Sequence, residues 1–253
     1  MSEPTPSEPT PPEHNPERPS DASPDYDVAR GPDGESLLPP VVGILGAGRA
    51  GTAFARALLA AGFGVDICST RPPKALRHHL KIYAPGATAV DAEEVPARTR
   101  QHPRGIVILA VPQEELDELD PALVDGCVLI DATNTWQDEL LPPWLQAAVD
   151  EQLPTSLAIA GRFSGARVVK ALNHVAHTEF DDAAARDMPL DQRRALGVAG
   201  DDDAARGLVM ALISAMGFDP VSLGPLAAGR VLEPEGPVFN RPVRRADLLP
   251  YAR

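Results

Sequence analysis

The segment Gly46-Ala47-Gly48-Arg49-Ala50-Gly51 stands between an apolar run, Val41–Leu45, and a stretch rich in Ala and Leu, Arg49–Ala61. A G-x-G-x-x-G turn that follows a strand and opens a helix allows few folds. Gly46 permits the tight turn, Gly48 leaves main chain bare for a pyrophosphate, and Gly51 lets helix and strand pack closely. Ala47, Arg49 and Ala50 complete the turn, and free N–H groups at the helix start would face the anion. Gly62 stops the helix and Gly64–Cys68 follows as a second strand, so the flanking elements agree with a dinucleotide-binding reading.

Beyond the turn, Ala87–Val90, Gly105–Val111 and Cys127–Asp131 read as strands, with helix-like stretches at Lys74–Ile82 and Pro112–Leu119 between them. Continuously apolar strands alternating with helices indicate a parallel sheet covered on both faces. The predicted fold is therefore α/β, a Rossmann-type doubly wound parallel sheet. A smaller C-terminal α/β portion follows, with a helix from Leu157 to Phe163 and strands at Arg167–Leu172, Leu196–Ala199 and Pro220–Leu223. Gly200-Asp201-Asp202-Asp203 suits the start of a helix that ends near Met216, since the acids favour a helix N-terminus.

The first 39 residues differ from the rest: ten prolines, and nine acidic residues against two basic ones. Such a segment buries too little apolar surface to offset its conformational entropy and is predicted to be disordered. The domain reading is thus 1–39 as tail, 40–153 as the nucleotide-binding domain, 154–230 as the smaller portion and 231–253 as an irregular extension.

The tail carries −7 of the net charge of −13, leaving −6 on the remainder, so no nucleic-acid partner is expected. Cys68 and Cys127 lie in apolar strands without ligand spacing and read as small core residues. No basic start followed by an apolar stretch suggests a secretory signal. No apolar run is long enough to span a membrane. A soluble cytoplasmic protein is the expectation.

An NAD-selective site offers a carboxylate about 20 residues past the glycines, at the end of the second strand. Here that stretch reads Cys68-Ser69-Thr70-Arg71-Pro72-Pro73-Lys74. With a hydroxyl at Thr70, a guanidinium at Arg71 and an ammonium at Lys74, it fits a ribose 2′-phosphate and points to NADP(H). Asp66 falls two residues too early and reads as structural. His78 and His79 read as a solvated helix face.

Several separated pieces, GILGAGRAG, STRPPK, ILAVP, RVVKALNHVAH and GDDDAARGLVMALISAMGFDPVSLGPLAAGR, together cover most of Val41–Arg230. Through them the chain resembles the coenzyme F-420 (deazaflavin)-dependent NADP oxidoreductases and their wider group of NADP-binding reductase domains. The resemblance implies direct hydride transfer between NADP(H) and a planar small-molecule acceptor, the deazaflavin or a flavin. No catalytic acid or base is then needed, because alignment and exclusion of water do the work. By position, Ala110, Val111, Pro112 and Asn134 would border the nicotinamide. Asn173, His174 and Val175 would face the acceptor, although Asn173-His174-Val175-Ala176 stands where the deazaflavin type has His-Thr-Ile-Pro. The family's long apolar helix after Arg230, which serves the acceptor site and a homodimer contact, is interrupted here by Pro234, Gly236, Pro237 and Pro242. A non-catalytic NADP(H)-binding redox sensor is the reading of a different class.

Overall fold

The computed structural model describes residues 36–136, 139–181 and 186–253. Its centre is one eight-stranded sheet in the order β3-β2-β1-β4-β5-β6-β7-β8. The strands are β1 Val41–Leu45, β2 Gly64–Cys68, β3 Thr88–Ala89, β4 Ile106–Leu109, β5 Val128–Asp131, β6 Arg167–Lys170, β7 Ala195–Gly200 and β8 Asp219–Gly224. Every neighbouring pair is parallel except β6 with β7. The strands of the second half thus extend the same sheet. Strand order reverses between β1 and β4, and ligands of open α/β sheets bind outside the carboxyl ends of the strands at such a switch point.

The helices are α1 Arg49–Ala60, α2 Pro73–Tyr83, α3 Val95–Thr99, α4 Pro143–Asp150, α5 Thr155–Arg162, α6 Asp203–Ala215 and α7 Arg245–Leu248. Period-two alternation divides each apolar strand between two cores. Ile106 and Ile108 of β4 join the layer containing Leu58 of α1, Leu76 of α2 and Leu212 of α6. Val107 and Leu109 join the opposite layer, with Val95, Leu145 and Ile159 of α3, α4 and α5. These side chains are all fully buried, each contributing roughly 1.5–3 kcal/mol of apolar burial.

Several expectations change. Pro112–Leu119 holds a 3-10 turn, Gln113–Glu118, instead of an α-helix, because Leu119 is already extended and leads into a second turn capped by Asp120. α3 and α4 add to the expected elements, and both begin with a proline in the first turn. At the N-terminal end of the described chain, Leu38 is buried in the main core, so the last residues of 1–39 pack with the domain. Residues 1–35 lie outside the described residues. The 231–253 extension lacks a long helix, as its prolines require, yet it is packed: Leu232, Val238, Val243 and Leu248 bury against β7 and β8. Cys68 and Cys127 are buried free thiols.

Candidate functional site: the glycine turn and its cleft

Gly46 leaves β1 with φ of 106°, a left-handed conformation that glycine adopts without a Cβ penalty. Its N–H donates to the Cys68 carbonyl at 3.2 Å, which ties the ends of β1 and β2 together. A Cβ on Gly46 would lie 2.4 Å from the Ala110 carbonyl oxygen, so the end of β4 passes directly against the turn. Gly51 faces inward in the same way: a Cβ there would meet the Gly46 oxygen at 1.9 Å. Gly48 differs, because a Cβ there would meet nothing within 4 Å. It caps α1 without a side-chain bond, and no acid stands in that helix's first turn. Bare amides and the positive end of the helix macrodipole therefore open toward free space, an arrangement fitted to an anion.

A cleft of about 660 Å³ lies there, walled by Gly46 to Arg49, by Cys68 to Arg71 and by Ala110 to Pro112. Thr70 and Arg71 are exposed at the end of β2, where the Arg71 N–H donates to the Ser69 hydroxyl at 3.1 Å. The Arg71 guanidinium forms no ion pair among the described residues. Ala50 and Gly51 lie behind the wall in α1. Lys74 is exposed on α2 but does not line the cleft. His79 does, together with Tyr83, and the two rings stack at 4.4 Å and 30°. This corrects the reading of His79 as part of a solvated face; the i, i+4 spacing to Tyr83 was the available signal. On the other lip stand Glu115 and Glu118, and burial, with Glu118 and Glu114 nearby, pushes the Glu115 carboxyl above its usual range.

Asp66 is structural. Fully buried in β2, it accepts from Arg98 of α3 at 2.7 Å, and burial nevertheless raises its carboxyl against the opposing pull of that guanidinium.

The expected acceptor-side residues turn away from the cleft. The Asn173 Nδ2 donates to the Asn134 Oδ1 at 3.0 Å and to the Leu232 carbonyl at 2.6 Å, while the Asn134 Nδ2 donates to the Asn173 carbonyl at 2.9 Å. Asn134 is thus a bridge between the β5 and β6 loops and does not line the cleft. His174 is fully buried; its Nε2 accepts the Gly197 N–H at 3.2 Å and its Nδ1 has no partner among the described residues. Burial, then Arg194 and Lys170, lowers its pKa to about 3, so the imidazole is neutral. Val175 packs in the main core. The left-handed turn at Leu172, with φ of 68°, carries the chain inward after β6 and strains a non-glycine backbone by roughly 1–3 kcal/mol.

Under this edge lies a buried polar network that no sequence pattern announced. Lys170 donates to the Asp131 carboxylate at 3.2 Å and to the Thr133 carbonyl at 2.6 Å, and both charged side chains are wholly buried. Asp131 also accepts from Ser156 Oγ at 2.6 Å, from Thr133 Oγ1 at 2.7 Å and from the Thr133 N–H at 3.0 Å. Gln113 joins the network to the cleft: it follows Pro112, donates to Thr133 Oγ1 at 2.8 Å and accepts from Thr135 Oγ1 at 2.6 Å.

Among the described residues no group of His, Cys, Asp or Glu is placed to hold a metal ion, and no helix is long and apolar enough to cross a membrane.

Comparison with known proteins bears on the same segment. Residues 41–135 match the family described as NADP oxidoreductase, coenzyme F-420-dependent. Metalloreductase STEAP3 of Rattus norvegicus is 27% identical over 197 residues, which are 77% of this chain and 36% of that protein. The chain therefore spans about a third of the curated relative it matches. The hypothetical protein SMa0349 of Sinorhizobium meliloti shares the fold with a TM-score of 0.63 at 26% identity, over 81% of this chain and 94% of that one. A candidate F-420-dependent NADP-reductase from Arthrobacter sp. FB24 does so with 0.56 at 23%, over 76% and 87%. Over residues 41–135, then, this chain resembles the coenzyme F-420-dependent NADP oxidoreductases, within the wider group of NADP-dependent oxidoreductases.

Proposed function

We propose that this chain is a reductase that binds NADP(H) in the cleft at Gly46–Gly51 and exchanges a hydride with a planar acceptor, the deazaflavin coenzyme F-420. The observation that carries the reading is the end of β2. Thr70 and Arg71 stand exposed in the cleft wall where an NAD site would present a carboxylate, and the acid within β2, Asp66, is committed to Arg98. A guanidinium without an ion pair among the described residues, beside a hydroxyl, suits a 2′-phosphate, which it can hold by two charge-assisted bonds.

The dinucleotide, when bound, supplies the hydride at its nicotinamide ring. The protein's part is alignment. Amides at the start of α1 hold the pyrophosphate, Ala110 to Pro112 fix the ring's side of the cleft, and the Gln113 bonds hold that wall against the β5 loop. No titratable group is required at the reacting carbons, in keeping with a His174 that is neutral and interior. The acidic balance and the buried free thiols support a cytoplasmic setting.

The test has two stages. Calorimetry should give NADPH uptake at least tenfold tighter than NADH. Anaerobic mixing of protein and NADPH with coenzyme F-420 should then bleach the acceptor. Turnover with a flavin alone would reassign the acceptor. Uptake without any turnover would favour the redox-sensing module.

A further inference from the structure

A second cavity, of about 710 Å³, lies beside the β5 loop, between α4, the start of α5 and the chain after β8. Its size falls within the roughly 300–1,000 Å³ of small-molecule sites. Much of the wall is apolar: Trp136, Leu153, Val231, Pro234 and Tyr251 line it. The 231–253 extension, whose prolines bar a long helix, thus builds a concave surface.

Into this lining reaches Glu233. Its Oε1 accepts both the N–H and the hydroxyl of Thr155, at 2.8 and 3.0 Å, which fixes the carboxyl at the start of α5. No hydrogen bond to its Oε2 is formed among the described residues. Burial pushes the Glu233 carboxyl above its usual range, against the pull of Lys170 and Thr155. A part-buried carboxyl held in place gains from a ligand that brings a positive charge. The rest of the charge agrees. With Glu139 and Glu235 also lining it, the cavity has three carboxyl groups against two arginines, Arg230, which donates to the Gln152 carbonyl at 2.6 Å, and Arg253.

We infer that this cavity is a second ligand site, which takes an aromatic or apolar molecule bearing a protonated amine, with Glu233 as the counter-charge. One buried side chain separates it from the cofactor cleft: Thr135 lines the cavity and bonds Gln113, which follows Pro112 of the cleft wall.

The experiment is calorimetric titration of the full chain with tryptamine, and with indole-3-propanoate as its anionic counterpart. Tryptamine should bind saturably, and the acid at least fivefold more weakly. Glu233→Gln should weaken tryptamine at least fivefold. Because Glu233 also holds Thr155, a second variant, Ala227→Trp, fills the cavity from an exposed position and should abolish uptake while leaving NADPH binding unchanged. Absence of saturable tryptamine uptake, equal uptake of the acid, or uptake indifferent to Ala227→Trp would overturn the assignment. Neither NADPH nor a redox acceptor is present in the titration, so its failure is separate from a failure of the reductase reading.

Discussion

Gly51 packs so closely on the Gly46 carbonyl that a methyl group between them would lie 1.9 Å from the oxygen, whereas Gly48, three residues earlier, faces open space. The two glycines therefore fail differently. Gly51→Ala must push α1 away from the turn and should lower the melting temperature by several degrees, on the scale of roughly 1–3 kcal/mol for overpacking. Gly48→Ala should melt like the parent and bind NADPH about tenfold more weakly, since its methyl group stands where the ligand approaches. Thermal melts paired with NADPH titrations separate the two, and equal melting losses would contradict the assignment.

Arg71→Ala should weaken NADPH by about ten- to a hundredfold, the worth of hydrogen bonds to a charged group, and leave NADH within about twofold. Lys74→Ala, outside the cleft lining, should do much less. Equal losses of both dinucleotides on Arg71→Ala would mean that no 2′-phosphate is read there.

Lys170→Met leaves the Asp131 carboxylate buried without its cation, for which the cost is roughly 3–5 kcal/mol. Denaturant unfolding should show a loss of that order. Asp131→Asn added to it should restore part of the stability, and a double variant as weak as the single one would deny the pair its role.

His174 gives a signed pH dependence. Its folded pKa of about 3 lies below the 6.5 of the unfolded chain, so below pH 6.5 the unfolded state takes up a proton that the native state refuses. Its contribution is complete above pH 6.5 and falls away as pH drops toward 3, by about 2 kcal/mol at pH 5. The raised carboxyls of Asp66, Asp219 and Glu233 act oppositely, favouring the native state as pH falls. The comparison is therefore with His174→Leu, whose stability should fall less between pH 7.5 and 5. Parallel profiles would show that His174 is not the source.

What could be read from residues alone was whatever is local in sequence. The glycine turn, β1, α1 and β2 follow from an apolar run, three glycines and an Ala-Leu stretch, and the Thr70-Arg71 corner follows by counting from them. What is set by register was invisible: Asp131 and Lys170 are partners across β5 and β6, yet 39 residues separate them. His174 failed for the same reason. Its place after a strand suggested the ligand edge, but the left-handed turn at Leu172 sends it beneath β7, and burial is a property of the assembled sheet. The prolines after Arg230 interrupt a long helix, as their chemistry requires; that the segment still buries Val238, Val243 and Leu248 depends on the apolar face of β7 and β8.

The single antiparallel step between β6 and β7 has a practical outcome. It turns the entry of α6 toward the rim of the sheet opposite the glycine turn, where the Asp203 side chain is 89% exposed. With both native thiols enclosed, a cysteine substituted for Asp203 would be the one readily labelled, and a dye or surface tether attached there would hang from the far side of the molecule, leaving the mouth of the cleft at the glycine turn unobstructed.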